Sequence, residues 1–374
     1  MALESLYKTG AFATLSVIGG TLFAIAPAIA GPSCTTGTGL EICVTFDSSI
    51  TSLANASTLE SSFNTVAQQF ANALTNQTSI DIYVSSGTIA PSGSAVGARP
   101  LASGAVAGSY NVTDAMGASA AASFTNTTAA LAAAGVKNLP VTDPTGGKTF
   151  YMAQAEVKAL GLASTYSTSS PYDGYIGFSS TAPFYFGTTP VSGTYSFQAA
   201  AQHEIDEVLG RTSTLNDSAA AALYLNQANP LDLFRYSAPG TPASFTENAS
   251  AYLSTDGGTT ALGTVDSTTT GGDRSDWSVQ AGPTTTDAQN TILSPGTNQG
   301  LSVSDGMVLK GLGYGIAPGN GTGLFLAANN PAGAASSLTS VSGVSAPEPA
   351  SLSILAAGAA FAGLMRRRRP TSGN

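Results

Sequence analysis

Hydrophobic and polar positions along the first part of the chain predict a strand, a helix and a second strand. The segment EICVTFD, residues 41–47, alternates with a period of two, as a half-buried strand does. In the segment SSFNTVAQQFANALTN, apolar residues recur at helical spacing from Phe63 to Leu74. SIDIYVS, residues 79–85, returns to a period of two. Together the three segments predict a βαβ-like unit at the start of the folded region.

Patterns further along the chain predict an α+β protein with a mixed sheet and short C-terminal β-hairpins. Helices are expected at residues 126–135, at 152–162 and around 203–210, and a strand is expected at 173–180. The dipeptide Asp256-Gly257 lies between alternating apolar residues, which is a hairpin signal. The last helix, SVSDGMVLKGLGY, should begin at a Ser302 or Ser304 cap and end at Gly313.

The N-terminus has the pattern of a secretory signal peptide. Lys8 precedes an apolar run that ends in the small-residue motif Ala28-Ile29-Ala30. We expect cleavage after Ala30, which assigns residues 1–30 to the signal. A membrane anchor is the alternative, but Gly and Pro interrupt the short apolar run.

The C-terminus combines three features in a fixed order. A Pro347-Glu348-Pro349 triplet comes first, an apolar segment from about Leu352 to Met365 follows, and four arginines end it at 366–369. The arginines should stay on the cytoplasmic side of a membrane. This tail, residues 346–370, resembles the PEP-CTERM sorting signal of Gram-negative bacteria, although a plain anchor is the alternative. The resemblance implies transient anchoring in the inner membrane, removal of the tail by an exosortase, and delivery to the outer surface or the extracellular matrix.

Composition agrees with export and excludes an electrostatic nucleic-acid binder. Hydrophobic residues make up 43% of the chain, which argues against wholesale disorder, and only 9% of the residues are charged. The net charge is −9, whereas binding to phosphates requires an excess of Lys and Arg. Cys34 and Cys43 are the only cysteines, and in an oxidising compartment we expect them to form one short-loop disulfide.

The candidate chemistry lies in the segment HEIDE, which begins with the only histidine of the chain. His203 and Glu207 are four residues apart, so a helix would direct both side chains to one side. Zinc accepts imidazole nitrogen and carboxylate oxygen, and a catalytic zinc site uses three protein ligands. We therefore predict His203 and Glu207 as zinc ligands. Glu204 occupies the position of the general base in the H-E-x-x-H signature, which this chain lacks because its second histidine is replaced.

The third ligand is predicted to be a carboxylate or a tyrosine, since no second histidine exists. Asp232, in the segment NPLDLFRYS, is our candidate. A structural role as the partner of Arg235 or Arg211 is the alternative for Asp232. Asp217 and Tyr236 are alternative donors.

The only tryptophan of the chain, Trp277, is predicted to lie in the core. Two acidic residues, Asp273 and Asp276, lie close to it in the segment GGDRSDW. We interpret them as turn acids, with participation in a Ca²⁺ site as the alternative.

Six sequence blocks carry a resemblance to a known family. In order, they are DGYIGFSS, FQAAAQHEIDEVLGR, NPLDLFRYSAPG, AYLSTDGGTTALG, GGDRSDW and SVSDGMVLKGLGYG. Together they resemble PEP-CTERM metalloproteases of bacterial envelopes over roughly residues 40–315. The resemblance implies a zincin-like fold and zinc peptidase activity, with the helix at His203 carrying the site. The chain departs from the zincin pattern at Glu207, where a histidine is expected, and from the metzincin pattern at Ser213.

These observations give one functional hypothesis and one alternative. The hypothesis is an exported zinc-dependent endopeptidase that cleaves a protein or peptide substrate at the cell surface or in the exopolysaccharide matrix. Its domain would span residues 31–315, a Gly/Ala/Ser-rich linker would span 316–345, and signal peptidase and exosortase would process the ends. The alternative is a non-catalytic matrix or adhesion protein on the same scaffold.

Overall fold

The structure is a computed structural model of the chain. It describes residues 14–18, 21–25, 31–37, 39–89, 94–95, 113–117, 119–166, 170–213, 215, 227–243, 245, 249–267, 274–278, 286–317, 324 and 344–345. Most of the predicted signal peptide and linker, and the whole predicted sorting signal, lie outside the described residues.

Most of the described helices and strands are short, and the two longest helices have 18 and 12 residues. The helices are α1 Ser48–Thr51, α2 Ala56–Ala73, α3 Phe124–Ala133, α4 Gln154–Ala159, α5 Phe197–Val208 and α6 Val303–Gly311, with a 3-10 helix at Pro230–Phe234. The strands are β1 Thr14–Ile18, β2 Thr21–Ile25, β3 Ser33–Cys34, β4 Glu41–Phe46, β5 Ser79–Ser86, β6 Thr88–Ile89, β7 Ser94–Ala95, β8 Thr113–Gly117, β9 Ser119–Ala122, β10 Thr149–Ala153, β11 Gly174–Phe178, β12 Phe184–Tyr185, β13 Tyr195–Ser196, β14 Gln227–Ala228, β15 Arg235–Ala238, β16 Thr241–Pro242, β17 Tyr252–Leu253, β18 Gly263–Thr264, β19 Ile292–Leu293 and β20 Val344–Ser345.

A five-stranded mixed sheet in the order β3-β4-β5-β11-β8 forms the centre of the fold. Strands β4, β5 and β11 run parallel, and the two edge strands pair antiparallel to them. Helix α2 crosses over from β4 to β5, which confirms the predicted βαβ unit. Phe63 and Phe70 of this helix are fully buried against the sheet, as the helical spacing predicts. The mixture of helices and mixed sheets agrees with the predicted α+β class.

Cys34 and Cys43 form the predicted disulfide. They are direct partners in the antiparallel pair of β3 and β4, so the bridge fixes the first edge strand to the central sheet. The predicted short-loop pairing is confirmed.

Helix α5 packs tightly on the central sheet. Ser196 caps its first turn by accepting a hydrogen bond from the backbone N–H of Ala199 at 3.2 Å. A Cβ atom at Gly174 of β11 would lie 2.4 Å from the methyl groups of Val208, so the glycine permits the close approach of the helix. Gly210, with φ of +108°, turns the chain away just after the helix.

The C-terminal part of the described chain contains a four-stranded antiparallel sheet in the order β16-β15-β17-β18. The hairpin predicted around Asp256-Gly257 is confirmed, because β17 and β18 pair antiparallel across the loop that contains this dipeptide. Asp256 stabilises this loop by accepting hydrogen bonds from the hydroxyl of Ser254 and the N–H of Thr260.

Helix α6 has the predicted cap and end. Its N-cap is Ser302, whose backbone N–H donates to Asp305 Oδ2 at 2.5 Å. Gly313, with φ of +90°, follows the helix. In the part of the chain that the structure describes, every helix is too short or too polar to cross a membrane.

Candidate metal centre

Helix α5 carries four ionisable side chains into the interior. His203, Glu204 and Asp206 have no exposed surface, and Glu207 is 3% exposed. Burial of several ionised groups on one helix costs free energy unless opposite charges, hydrogen bonds or a metal ion stabilise them. Because both faces of this helix are buried, a solvated charged surface does not explain the acidic residues.

The imidazole of His203 is oriented by a backbone carbonyl. Its Nδ1 atom lies 2.9 Å from the carbonyl oxygen of Ala288. Because a carbonyl oxygen can only accept a hydrogen bond, Nδ1 must carry the proton. In the neutral ring the lone pair is therefore on Nε2, the nitrogen that faces the acidic side chains. This arrangement is typical of histidines that bind metals.

Two carboxylates approach that nitrogen from different parts of the chain. Nε2 lies 3.5 Å from Oε1 of Glu207 and 3.6 Å from Oδ1 of Asp276. The three ligand atoms lie within 4.8 Å of one another, and all three residues are buried. One nitrogen and two oxygens at this separation could contact a single divalent ion after small side-chain movements. The structure thus brings His203 and Glu207 together, with Asp276 as the third donor.

Asp276 is held in place by backbone pairing on both sides. Its carbonyl oxygen accepts a hydrogen bond from the N–H of Asp266 at 2.9 Å, and the N–H of Trp277 donates to Gln289 at 2.8 Å. The side chain of Gln289 also donates to the carbonyl oxygen of His203 at 2.9 Å. The residues around Ala288 therefore orient the imidazole and also support the segment that carries Asp276.

Asp232 does not converge with His203 and Glu207, contrary to the sequence prediction. Its Oδ1 accepts a hydrogen bond from the hydroxyl of Ser213 at 2.8 Å, and its Oδ2 accepts one from the N–H of Asn229 at 2.8 Å. The physical reason is helix capping: Asn229 precedes the 3-10 helix, and Asp232 is its third residue. Asp276, and not Asp232, is the aspartate that lies beside His203 and Glu207 in the structure.

The sequence also offered Arg235 or Arg211 as a structural partner of Asp232. Burial raises the pKa of Asp232, and the positive charge of Arg235 opposes that rise without cancelling it, so Arg235 acts electrostatically on this carboxylate. Arg211 forms ion pairs with Asp206 and Asp305. Tyr236 is buried in β15. Asp217 and Asp273 lie outside the described residues.

The surroundings of His203 are strongly negative. Burial alone would lower the pKa of His203, but the charges of Asp276 and Glu204 and the contact with Ala288 raise it on balance. The positive charge of Arg211 opposes them in part. A divalent cation bound beside His203 and Glu207 would offset the negative charge of Asp276 and Glu204.

Comparison with known proteins gives no matching family model, no matching curated protein and no matching solved structure. The resemblance to PEP-CTERM metalloproteases therefore stays a prediction. The buried position of Trp277, which has no exposed surface, is confirmed.

Proposed function

We propose that the chain binds one zinc ion through His203, Glu207 and Asp276 and acts as an exported zinc-dependent endopeptidase. The observation that carries the proposal is the orientation of His203. Its Nδ1 is fixed on Ala288, and its Nε2 is directed between two buried carboxylates. An imidazole nitrogen with two carboxylate oxygens is a donor set that zinc accepts.

The residues of the site have separate roles in this proposal. When bound, zinc supplies Lewis acidity and lowers the pKa of a coordinated water. His203, Glu207 and Asp276 would hold the ion, with the imidazole orientation set by Ala288. Glu204, adjacent to His203 and fully buried, would accept the proton from the attacking water as general base. Two carboxylates donate more charge than two imidazoles do, so we expect weak or narrow activity.

The wider assignment rests on the sequence. A zincin-like fold, the removal of residues 1–30, and sorting through the tail at 346–370 are proposed on the resemblance and on the terminal patterns. They place the enzyme at the outer surface or in the extracellular matrix of a Gram-negative bacterium. Signal peptidase, exosortase and a protein or peptide substrate would be its partners.

A non-catalytic surface or matrix protein is the second candidate, and one observation favours it. The three ligand residues are at most 3% exposed. Structural metal sites are closed in this way, whereas catalytic sites keep a position open for water and substrate. In this reading the metal would stabilise the scaffold and Glu204 would have no chemical role.

Metal analysis and a cleavage assay on the purified full chain distinguish the candidates. We expect one equivalent of Zn²⁺ in the wild type and none in His203→Ala. Casein cleavage should fall by roughly 10²–10⁴-fold in Glu204→Gln while zinc content is unchanged. If zinc binds but Glu204→Gln leaves cleavage unchanged, or if no cleavage occurs at all, the structural role is favoured. Absence of stoichiometric zinc from the wild type would contradict both proposals, the catalytic zinc site and the structural one.

A further inference from the structure

Arg211 is the most deeply buried cation near the candidate centre. It follows Gly210 just beyond the end of α5 and has no exposed surface. Its Nη1 atom lies 3.3 Å from Oδ2 of Asp206 and also contacts Oδ1 of Asp305. Asp206 is the residue before Glu207, so this pair attaches the guanidinium to the helix that carries two candidate ligands.

The same guanidinium contacts the residues on both sides of Asp276. Nη2 of Arg211 donates to the carbonyl oxygen of Ser275 at 3.4 Å. The guanidinium carbon lies 4.4 Å from the centre of the Trp277 ring, which is a cation–π distance. Nε1 of Trp277 in turn donates to Oδ1 of Asp305 at 2.7 Å.

These contacts link the two elements that the candidate ligands come from. His203 and Glu207 lie on α5, whereas Asp276 lies on the irregular segment 274–278. A planar guanidinium can bind carboxylates in its plane and stack on an indole at the same time, which an ammonium group cannot do. Ligands must be held to within roughly 0.5 Å for tight binding, so a rigid link of this kind affects affinity.

We propose that Arg211 is a positioning residue of the metal centre: it sets the distance between α5 and Asp276 without contacting the ion. The proposal rests on the metal site of the proposed function. It predicts that loss of the planar fork lowers metal affinity even when the positive charge remains. A purely structural arginine would affect the stability of the fold and leave the affinity of the folded protein unchanged.

The test compares Arg211→Lys with Arg235→Lys in the full chain. Arg235 is a matched control because it is also buried, at 2% exposure, and its hydrogen bonds to the carbonyl oxygens of Arg274 and Ala249 attach segment 274–278 to β15 instead of to α5. Zn²⁺ affinity is measured by competition with a chelating dye, and the site geometry by the visible absorption spectrum of bound Co²⁺. Folding is followed by circular dichroism.

We expect Arg211→Lys to lower Zn²⁺ affinity by roughly 10–100-fold and to alter the Co²⁺ spectrum. Arg235→Lys should retain wild-type affinity and spectrum while losing thermal stability. Equal affinities in wild type and Arg211→Lys, or equal losses in the two variants, would overturn the positioning role. If the wild type itself binds neither metal, the proposed function fails instead.

Trp277→Phe provides a second variant in case Arg211→Lys does not fold. Phenylalanine keeps a ring beneath the guanidinium but removes the hydrogen bond to Asp305. We expect a smaller reduction in Zn²⁺ affinity, of roughly 10-fold, with a changed Co²⁺ spectrum. An affinity and a spectrum identical to those of the wild type would count against the link through Trp277 and Arg211.

Discussion

Asp232 and Asp276 are both fully buried aspartates, but their carboxylates have different surroundings. The two oxygens of Asp232 accept hydrogen bonds from Ser213 and Asn229. An oxygen of Asp276 lies 3.6 Å from the imidazole nitrogen of His203, close to Glu207. Burial is the same in the two cases, so burial alone does not identify a metal ligand. What distinguishes them is that Oδ1 of Asp276 faces the imidazole of His203, whereas both oxygens of Asp232 accept hydrogen bonds from Ser213 and Asn229.

The largest effect on Zn²⁺ affinity is expected when each aspartate is replaced in turn by asparagine, which exchanges one carboxylate oxygen for an amide nitrogen. Asp276→Asn should lower Zn²⁺ affinity by roughly 100-fold or more, about 2.7 kcal/mol, because it removes an anionic ligand. Asp232→Asn should leave the affinity within about twofold of the wild type. Dye competition at fixed pH measures both variants. Equal losses in the two variants would mean that our distinction between the two carboxylates is wrong.

The same pair should separate in stability when metal is removed. In the presence of chelator and at alkaline pH, where His203 is neutral and forms no ion pair with Asp276, Asp276→Asn should unfold at higher denaturant than the wild type, because it removes a negative charge beside Glu207. With zinc at about 100 times its Kd, the wild type gains about 2.7 kcal/mol and the variant should not. Urea unfolding with and without zinc measures this crossover. A variant that is less stable than the wild type under both conditions would contradict it.

Removal of the Asp232 carboxylate tests its capping role. Asp232→Ala leaves the N–H of Asn229 and the hydroxyl of Ser213 without their acceptor, so we expect a loss of about 1–3 kcal/mol. The loss should be equal with chelator and with zinc, because this carboxylate is not a ligand. Urea unfolding of Asp232→Ala under both conditions is the measurement, and a loss that appears only with zinc would assign Asp232 to the metal.

Glu156 provides a third kind of buried carboxyl group. Burial raises its pKa well above the usual 4.5. The unfolded chain therefore loses this proton at lower pH than the folded chain, and stability falls as pH rises above about 4.5. Glu156→Gln should be more stable than the wild type at about pH 7 and equal to it at about pH 4. Melting temperatures across this range measure the difference, and a gain that is independent of pH would contradict the assignment.

The smallest effect on stability is expected at Asp256, whose carboxylate accepts hydrogen bonds within the loop between β17 and β18 and is not deeply buried. Hydrogen bonds from the backbone of Thr260 and from Ser254 lower its pKa, so its contribution is present at neutral pH and is lost as pH falls through that lowered value. Asp256→Asn should change stability by no more than roughly 0.5 kcal/mol, as is usual for surface positions. A loss of stability as large as that of Asp232→Ala would show that burial does not increase the contribution of such a carboxylate.

Periodicity and spacing in the sequence predicted the elements whose formation depends on residues close together in the chain. Periodicity located β4, α2 and β5, and the four-residue spacing of His203 and Glu207 placed both side chains at one point. The role of Asp232 also had a local signal, since an Asn-Pro-x-Asp stretch is typical of a helix start. Its carboxylate therefore serves this cap in the structure, whereas the sequence prediction assigns it to the metal.

Local patterns indicated Asp276 only as a turn acid or, as the alternative, part of a Ca²⁺ site, and did not connect it with His203. Asp276 reaches His203 because segment 274–278 pairs with residues near Ala288, and the carbonyl that orients the imidazole is 85 residues from it along the chain. The nearby Trp277 indicated only a core position. The Asp256-Gly257 pair indicated the hairpin of β17 and β18 correctly, and hydrogen bonds from Ser254 and Thr260 to Asp256 stabilise its loop.

A crystal structure of the full chain grown with zinc, with anomalous data at the zinc edge, tests the central claim most directly. The account predicts one strong anomalous peak at about 2.0–2.2 Å from Nε2 of His203 and from carboxylate oxygens of Glu207 and Asp276. Asp232 should remain bonded to Asn229 in the same crystal. A peak at Asp232, or no peak beside His203 when zinc is in excess, would contradict the account.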